Sequence, residues 1–325
     1  MKKIILLLIV LVSFWNDSMA QQDPQYSMYM FNGLYHNPAY AGSKDALDVS
    51  ALYRNQWTGQ FNGGAPQSAT LSLHSPLAKK QLSLGLMVGY DHIGYTDTYS
   101  MLGMFAYKIP IKNVQLSIGL QGGFYNFSDN KNNAITLDPN DRILGVGDVV
   151  FAPNFGAGIY AYSKRFYAGI SMPHILESNI LDKYHIAGND ETFSKLYRHL
   201  FATAGVVIGR EDATVKFKPS ILIKWVSGVP KSIPSIDLNF SALFVDRFWL
   251  GISARSGGNI KGPYISDIVG MFEVLITQQL RAGYSYDWQT SSLNQVTKGS
   301  HEFMIGYTFG FTKNRFVNVR YGTYF

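Results

Sequence analysis

The chain has 325 residues with 21 Phe, 21 Tyr, 31 Gly and no Cys, a net charge of +6 and a mean hydropathy of −0.01. Without cysteine there are no disulfides, no thiol catalysis and no lipid-bearing N-terminal Cys. Only 15% of the residues are charged, against about 25% in soluble domains, so much of the surface is expected to face something other than water.

Residues 1–20 have the form of a secretion signal. Lys2 and Lys3 supply the positive start, Ile4 to Val12 the apolar centre, and Ser18, Met19 and Ala20 a small-residue cleavage site. Cleavage near Gln21 removes two lysines and Asp17, which lowers the net charge by one. Residues 21–45 follow as a separate N-terminal segment, rich in Tyr, Asn, Pro and Gly. Asn37-Pro38 favours a turn. Tyr26, Tyr29, Phe31, Tyr35 and Tyr40 offer apolar bodies, four of them with a hydroxyl that can bond in a polar lumen. The segment is long enough to plug a lumen, to lie beneath its periplasmic mouth, or to touch a partner there. The candidate plug or partner-binding residues are Tyr26, Tyr29, Phe31, Asn32, Asn37, Pro38, Tyr40 and Gly42.

From residue 46 to 311 the pattern changes to alternation with period two, which sends successive side chains to opposite faces of a strand. Gln115, Ser117, Gly119 and Gln121 interleave with Leu116, Ile118 and Leu120; Arg281, Gly283, Ser285 and Asp287 with Leu280, Ala282, Tyr284, Tyr286 and Trp288; Glu302, Met304, Gly306, Thr308 and Gly310 with Phe303, Ile305, Tyr307, Phe309 and Phe311. After the signal no run approaches the roughly 18 apolar residues of a spanning helix, so a membrane chain of this kind must be a closed barrel. The expected fold is all-β, a transmembrane antiparallel β-barrel of the outer-membrane type. It has about fourteen strands: 46–56, 67–77, 81–91, 98–109, 114–127, 149–162, 166–172, 196–208, 213–226, 234–245, 248–256, 263–276, 278–288 and 300–311. A soluble β-sandwich of that many strands would carry too much core and too little outer charge. Tyr90, Tyr107, Trp225, Trp249 and Trp288 are the expected interfacial aromatics.

Short and long connections alternate, with one exception at His92 to Asp97. Short turns belong to the periplasmic end and long loops to the outside, so both termini are expected in the periplasm, with residues 312–325 as a periplasmic tail. Basic residues in the short turns would form a rim there, able to meet an acidic partner or simply marking the wet ends of the strands.

Catalytic signals are sparse. Asp91-His92 ends a strand with no Ser or Asp partner fixed by spacing, and reads as a polar pair at a loop edge; a barrel hydrolase would need a Ser–His–Asp cluster at the outer rim, where His74, His92 and His301 are the residues to inspect. Asp138, Asn140, Asp141 and Asp148 suggest a calcium loop, but Arg142 stands at the fifth position and no Glu at the twelfth. Gly156-Ala157-Gly158 lies within a strand, so it is no dinucleotide fingerprint. No basic cluster interleaved with aromatics points to nucleic acid. No metal or cofactor is expected, and Arg54, Arg255 and Arg281 could line a passive channel.

The run Gln22-Asp23-Pro24-Gln25-Tyr26-Ser27, Tyr29-Met30-Phe31-Asn32 and Asn37-Pro38-Ala39-Tyr40-Ala41-Gly42 resembles the opening signature of the PorP/SprF-like proteins of the type IX secretion system. Tyr53 to Gly59, Gly64-Ala65-Pro66, Ser72 to Leu77, Phe248 to Gly251, Gly283 to Trp288 and Gly299 to Glu302 resemble later blocks of that family. The resemblance implies a non-enzymatic outer-membrane component surrounded by lipid. It would support export or surface attachment of a secreted client, such as a gliding adhesin, through the client's type IX C-terminal domain. The alternatives are a core subunit touching the periplasmic ring proteins and a passive channel.

Overall fold

The structure, a computed structural model, describes residues 23–59, 64–77, 81–129, 149–178, 184–186, 189–191, 195–227, 233–259 and 262–310. The alternating segments pair with their chain neighbours: β1 (Leu47–Asn55), β2 (Gln67–Pro76), β3 (Leu82–Ile93), β4 (Thr96–Ile111), β5 (Val114–Asp129), β6 (Val149–Tyr162) and β7 (Phe166–Met172). After a small hairpin, β8 (Tyr184–Ile186) and β9 (Asn189–Glu191), the wall resumes with β10 (Arg198–Val206), β11 (Val215–Ser227) and β12 (Ser235–Phe244). It continues through β13 (Phe248–Asn259), β14 (Gly262–Leu275) and β15 (Leu280–Gln289) to β16 (Ser300–Phe309). Pairing is antiparallel throughout. β10 sits directly beside β7, and β16 closes on β1 with Leu47 opposite Phe309 and Asn55 opposite His301.

The fourteen wall strands are the fourteen expected ones, with ends displaced by no more than three residues. The β8–β9 hairpin, within the connection after β7, lies where the sequence predicts only a long loop, its two three-residue strands being too short for alternation to mark them. Among the described residues no helix is long and apolar enough to cross a membrane.

Alternation assigns the faces. On β5, Ile118 and Leu120 point outward and exposed while Ser117 and Gln121 are buried inside; on β16, Phe303 and Ile305 face out and Glu302 and Met304 face in. The outer face is a continuous apolar band, the arrangement a lipid-facing barrel requires. Trp249 departs from the interfacial role. It shares the inward parity of Gly251, Ser253 and Arg255, is only 4% exposed, and packs with Val207 and Leu243 inside the barrel. Its neighbours Phe248 and Leu250 take the outward positions.

The short turns after β2, β4, β6, β12 and β14 lie at one end, with Leu47 and Phe309; the long connections after β1, β5, β7 and β15 lie at the other, together with the two short connections after β3 and β13. The short connection between β3 and β4 is fastened by Asp97, which accepts from the Tyr90 hydroxyl at 2.7 Å and lies 2.8 Å from His92 Nδ1. The signal residues, the calcium-loop candidates Asp138, Asn140, Asp141 and Asp148, and the tail 312–325 lie outside the described residues.

Candidate functional site: the luminal segment

Residues 23–46 run inside the barrel. Asp23 stands at the long-loop ends of β7 and β10, beside His174 and His199. Lys44 reaches the short-turn end, where it pairs with Asp48 at 3.1 Å. Between them the chain makes three tight turns, a 3-10 turn at Tyr29–Phe31, one α-helical turn at Gly33–His36 and a second 3-10 turn at Pro38–Tyr40. The last of these follows from local sequence. Asn37 Oδ1 accepts from Ala39 N at 2.9 Å, and Pro38 occupies the first position, where no N–H is needed.

The candidate residues spread over the whole wall. Tyr26 packs edge-on against Tyr35 with 4.8 Å between ring centres, in a cluster with Met28, Leu52 and Met304. Tyr29 joins Met30, Phe201, Leu222, Val269 and Met271, its hydroxyl 3.2 Å from Ser220 Oγ. Phe31 lies beneath the Lys218 ammonium, 5.2 Å from the ring centre, and the same ammonium is 4.7 Å from the Trp249 ring. Asn32 Oδ1 accepts from Ser72 Oγ at 3.5 Å. Asn37 Nδ2 donates to the carbonyls of Ile159 and Ile170. Tyr40 is edge-on to His74 and Tyr160. Gly42 donates its N–H to His74 Nδ1 at 3.1 Å and accepts from Lys108 Nζ. Gly42 has φ +71°, and a Cβ there would collide with Ser83, so both backbone and space demand glycine.

Glycines on the inner face make room for this chain. A Cβ at Gly119 would strike the backbone of Ala39, one at Gly158 the Asn37 side chain, and one at Gly283 the tip of Met28. A buried aromatic or large aliphatic side chain contributes about 1.5–3 kcal/mol, so these clusters hold the segment strongly.

Two ion clusters bind its ends. Arg54 Nη2 is 2.6 Å from Asp287 and its Nη1 3.2 Å from Glu302, with all three side chains buried. The segment enters here: the N–H groups of Ser27 and Met28 donate to the two Glu302 oxygens at 2.8 and 2.9 Å, and Ser27 Oγ donates to Asp287 at 2.7 Å. Arg255, aimed inward just before a bulge in β13, donates to Ser27 Oγ and Asp237 at 3.0 Å each. At the other end Arg281 grips Asp48 with two bonds of 2.8 Å. Arg54, Arg255 and Arg281 are therefore neutralised by acidic partners. Outside the wall, in the connection after β7, the Lys195 ammonium 2.9 Å from Glu177 holds that carboxyl below its usual range.

A cavity of about 630 Å3 remains beside the segment at the short-turn end. Phe31, Leu243 and Trp249 supply its apolar wall, Lys44, Glu273 and Arg281 its charges. Of the histidines named as hydrolase candidates, His74 accepts from Gly42, His92 is on Asp97 and His301 on the Tyr284 hydroxyl.

Sequence reasoning missed Asp48, Lys108, Glu302, His174 and His199. The signal for the first three was a charge at an inward position of an alternating strand, a placement lipid does not tolerate on the other face.

The CymD monoaromatic hydrocarbon channel matches at 12% identity over 88% of this chain and 94% of that one, with a TM-score of 0.53. A Pseudomonas aeruginosa FadL homologue matches at 11% identity over 89% and 95% with a TM-score of 0.44, and the outer membrane protein Omp33 of Acinetobacter baumannii at 10% over 81% and 98%, also 0.44. No curated protein matches the chain. The closed barrel and its apolar outer band place the protein in the outer membrane. The family model described as type IX secretion system membrane protein PorP/SprF matches residues 18–307, and the chain belongs to that family.

Proposed function

We propose that the barrel is a non-enzymatic anchor or export aid for a secreted client of the type IX system, engaged through the client's C-terminal domain, and that residues 23–45 plug its lumen. The supporting observation is the burial of that segment from the long-loop ends to the short-turn end, with ion clusters fastening both extremities. A lumen filled in this way suits a protein that holds other proteins better than one that passes solutes. The short turns face the periplasm and the long connections face outward in this reading, so the connections after β5 and β7 are available to a surface client. A second reading, contact with the periplasmic ring, is favoured by the cavity at the short-turn end. The hydrolase reading finds no support in His74, His92 and His301, whose partners are a backbone amide, a hairpin carboxylate and a tyrosine.

The test is crosslinking in native outer membranes, followed by purification of the tagged protein and mass spectrometry. Recovery of a large secreted protein crosslinked through its C-terminal domain is the expected result. Recovery of ring proteins alone would favour the second reading, and recovery of neither would overturn both.

A further inference from the structure

We propose that Asp23, His174 and His199 form a binding site for a divalent first-row transition-metal ion, zinc above all, which clamps the start of the luminal segment to the barrel wall. The geometry stands whether or not the client reading holds. One carboxylate and two imidazoles converge from three separate elements, the luminal segment, the connection after β7 and strand β10, with their ligand atoms all within 4.8 Å of one another. Both histidines are buried, each about 1% exposed.

The proton positions make the case. Asn154 Nδ2 donates to the Pro173 carbonyl at 2.9 Å, so its Oδ1 is the atom facing His174 Nδ1, also at 2.9 Å. An amide oxygen only accepts, so His174 Nδ1 carries the proton. His174 Nε2, 3.1 Å from Asp23 Oδ2, donates to that carboxylate when protonated, and a metal ion that displaces this proton would find the Nε2 lone pair and the carboxylate side by side. His199 is held through the same nitrogen but is turned differently: its Nδ1 lies 2.9 Å from the Tyr197 carbonyl, which can only accept, and its Nε2 is buried with no hydrogen-bond partner among the described residues. His199 Nδ1 is also 3.8 Å from Asp23 Oδ2. Two imidazoles whose Nδ1–H groups are held by fixed acceptors are oriented as metal-binding histidines are. One carboxylate and two imidazoles, one of them with an unpartnered Nε2, lie close enough for small side-chain adjustments to bring them onto a single cation.

Donor chemistry selects the ion. Two nitrogens and one oxygen suit zinc, which takes four ligands at about 2.0–2.2 Å and accepts water as the fourth. Calcium and magnesium prefer all-oxygen shells. Binding would draw the three groups together and fix the first described residues of the luminal segment to β7 and β10.

The experiment uses the full mature chain, free of any histidine tag, purified in detergent, stripped with a chelator and titrated with Zn2+ by calorimetry. Co2+ serves as the visible-absorption probe of the coordination sphere. One equivalent per chain is expected, with Co2+ bands of low-coordinate nitrogen and oxygen ligation. Asp23→Asn and His199→Ala should each weaken binding at least tenfold, and Asn154→Leu, which frees the His174 ring, by about 10–100-fold. His301→Ala, at a histidine bonded to Tyr284 instead, should leave it unchanged. Heat-modified gel migration reports whether each variant is folded. Should His199→Ala fail to fold, the near-isosteric Asp23→Asn decides alone. No saturable binding, or binding that Asp23→Asn leaves intact, would overturn the proposal.

Discussion

Deleting residues 23–45 raises the conductance of the barrel in a planar bilayer by at least about tenfold, because fourteen strands enclose a lumen wider than their own side chains can fill. Eight-stranded barrels fill themselves with side chains, and sixteen-stranded porins leave an aqueous channel. A fourteen-stranded wall whose inner face is thinned by Gly119, Gly158 and Gly283 depends on another element to occupy its centre. The deletion leaves the Arg54–Asp287–Glu302 cluster intact on the wall, so the barrel retains its own charge pairing and should still close. Gly119→Leu provides a second variant with the chain otherwise complete. Its side chain would occupy the space of the Ala39 backbone, displace the middle of the segment and raise conductance in the same direction. Full-length protein that already conducts as well as the deletion would contradict the filled lumen.

Replacing Arg54 with Met lowers the unfolding free energy by about 3–5 kcal/mol, the cost of breaking a buried ion pair from one side. The guanidinium is the shared cation of Asp287 and Glu302, which are wholly buried, and its loss leaves two carboxylates near each other without it. Arg255, 3.5 Å from Asp287, compensates only in part. Urea unfolding monitored by heat-modified migration measures the loss. Adding Glu302→Gln to the Arg54→Met variant should recover part of it, since the second change removes a stranded charge, whereas independent sites would add their costs. The exposed pair Arg210–Asp212, although 3.0 Å long, gives the contrast: Arg210→Ala should cost no more than about 1 kcal/mol.

The barrel was legible because alternation is a local property that each strand carries by itself. Gln115 to Leu120 and Glu302 to Phe309 declare two faces without reference to any other part of the chain. Trp249 shows the limit of composition. As an aromatic near a strand end it suggests an interface, yet its parity with Gly251 and Arg255 sends it inward, and parity decides. The luminal segment was recognisable as a unit, from its turn residues and tyrosines, but its path was not. That path depends on which wall glycines leave space and which wall charges receive Ser27 and Lys44, relations between positions as distant as Met28 and Glu302. Asp23, His174 and His199 were invisible for the same reason: their meeting is set by closure of the barrel around the segment, and no spacing in sequence encodes it.

The most direct measurement of the account is a cysteine crosslink in intact outer membranes, favoured by a chain with no cysteine of its own. Asn32→Cys on the segment is paired with Ser72→Cys on the inner face of β2, where the native side chains are 3.5 Å apart. The control pairs Asn32→Cys with Leu71→Cys, the adjacent outward-facing position. Rapid bridging by a short thiol crosslinker in the first pair and none in the second is the predicted result. Equal or absent bridging in both would place the segment outside the lumen and contradict the account.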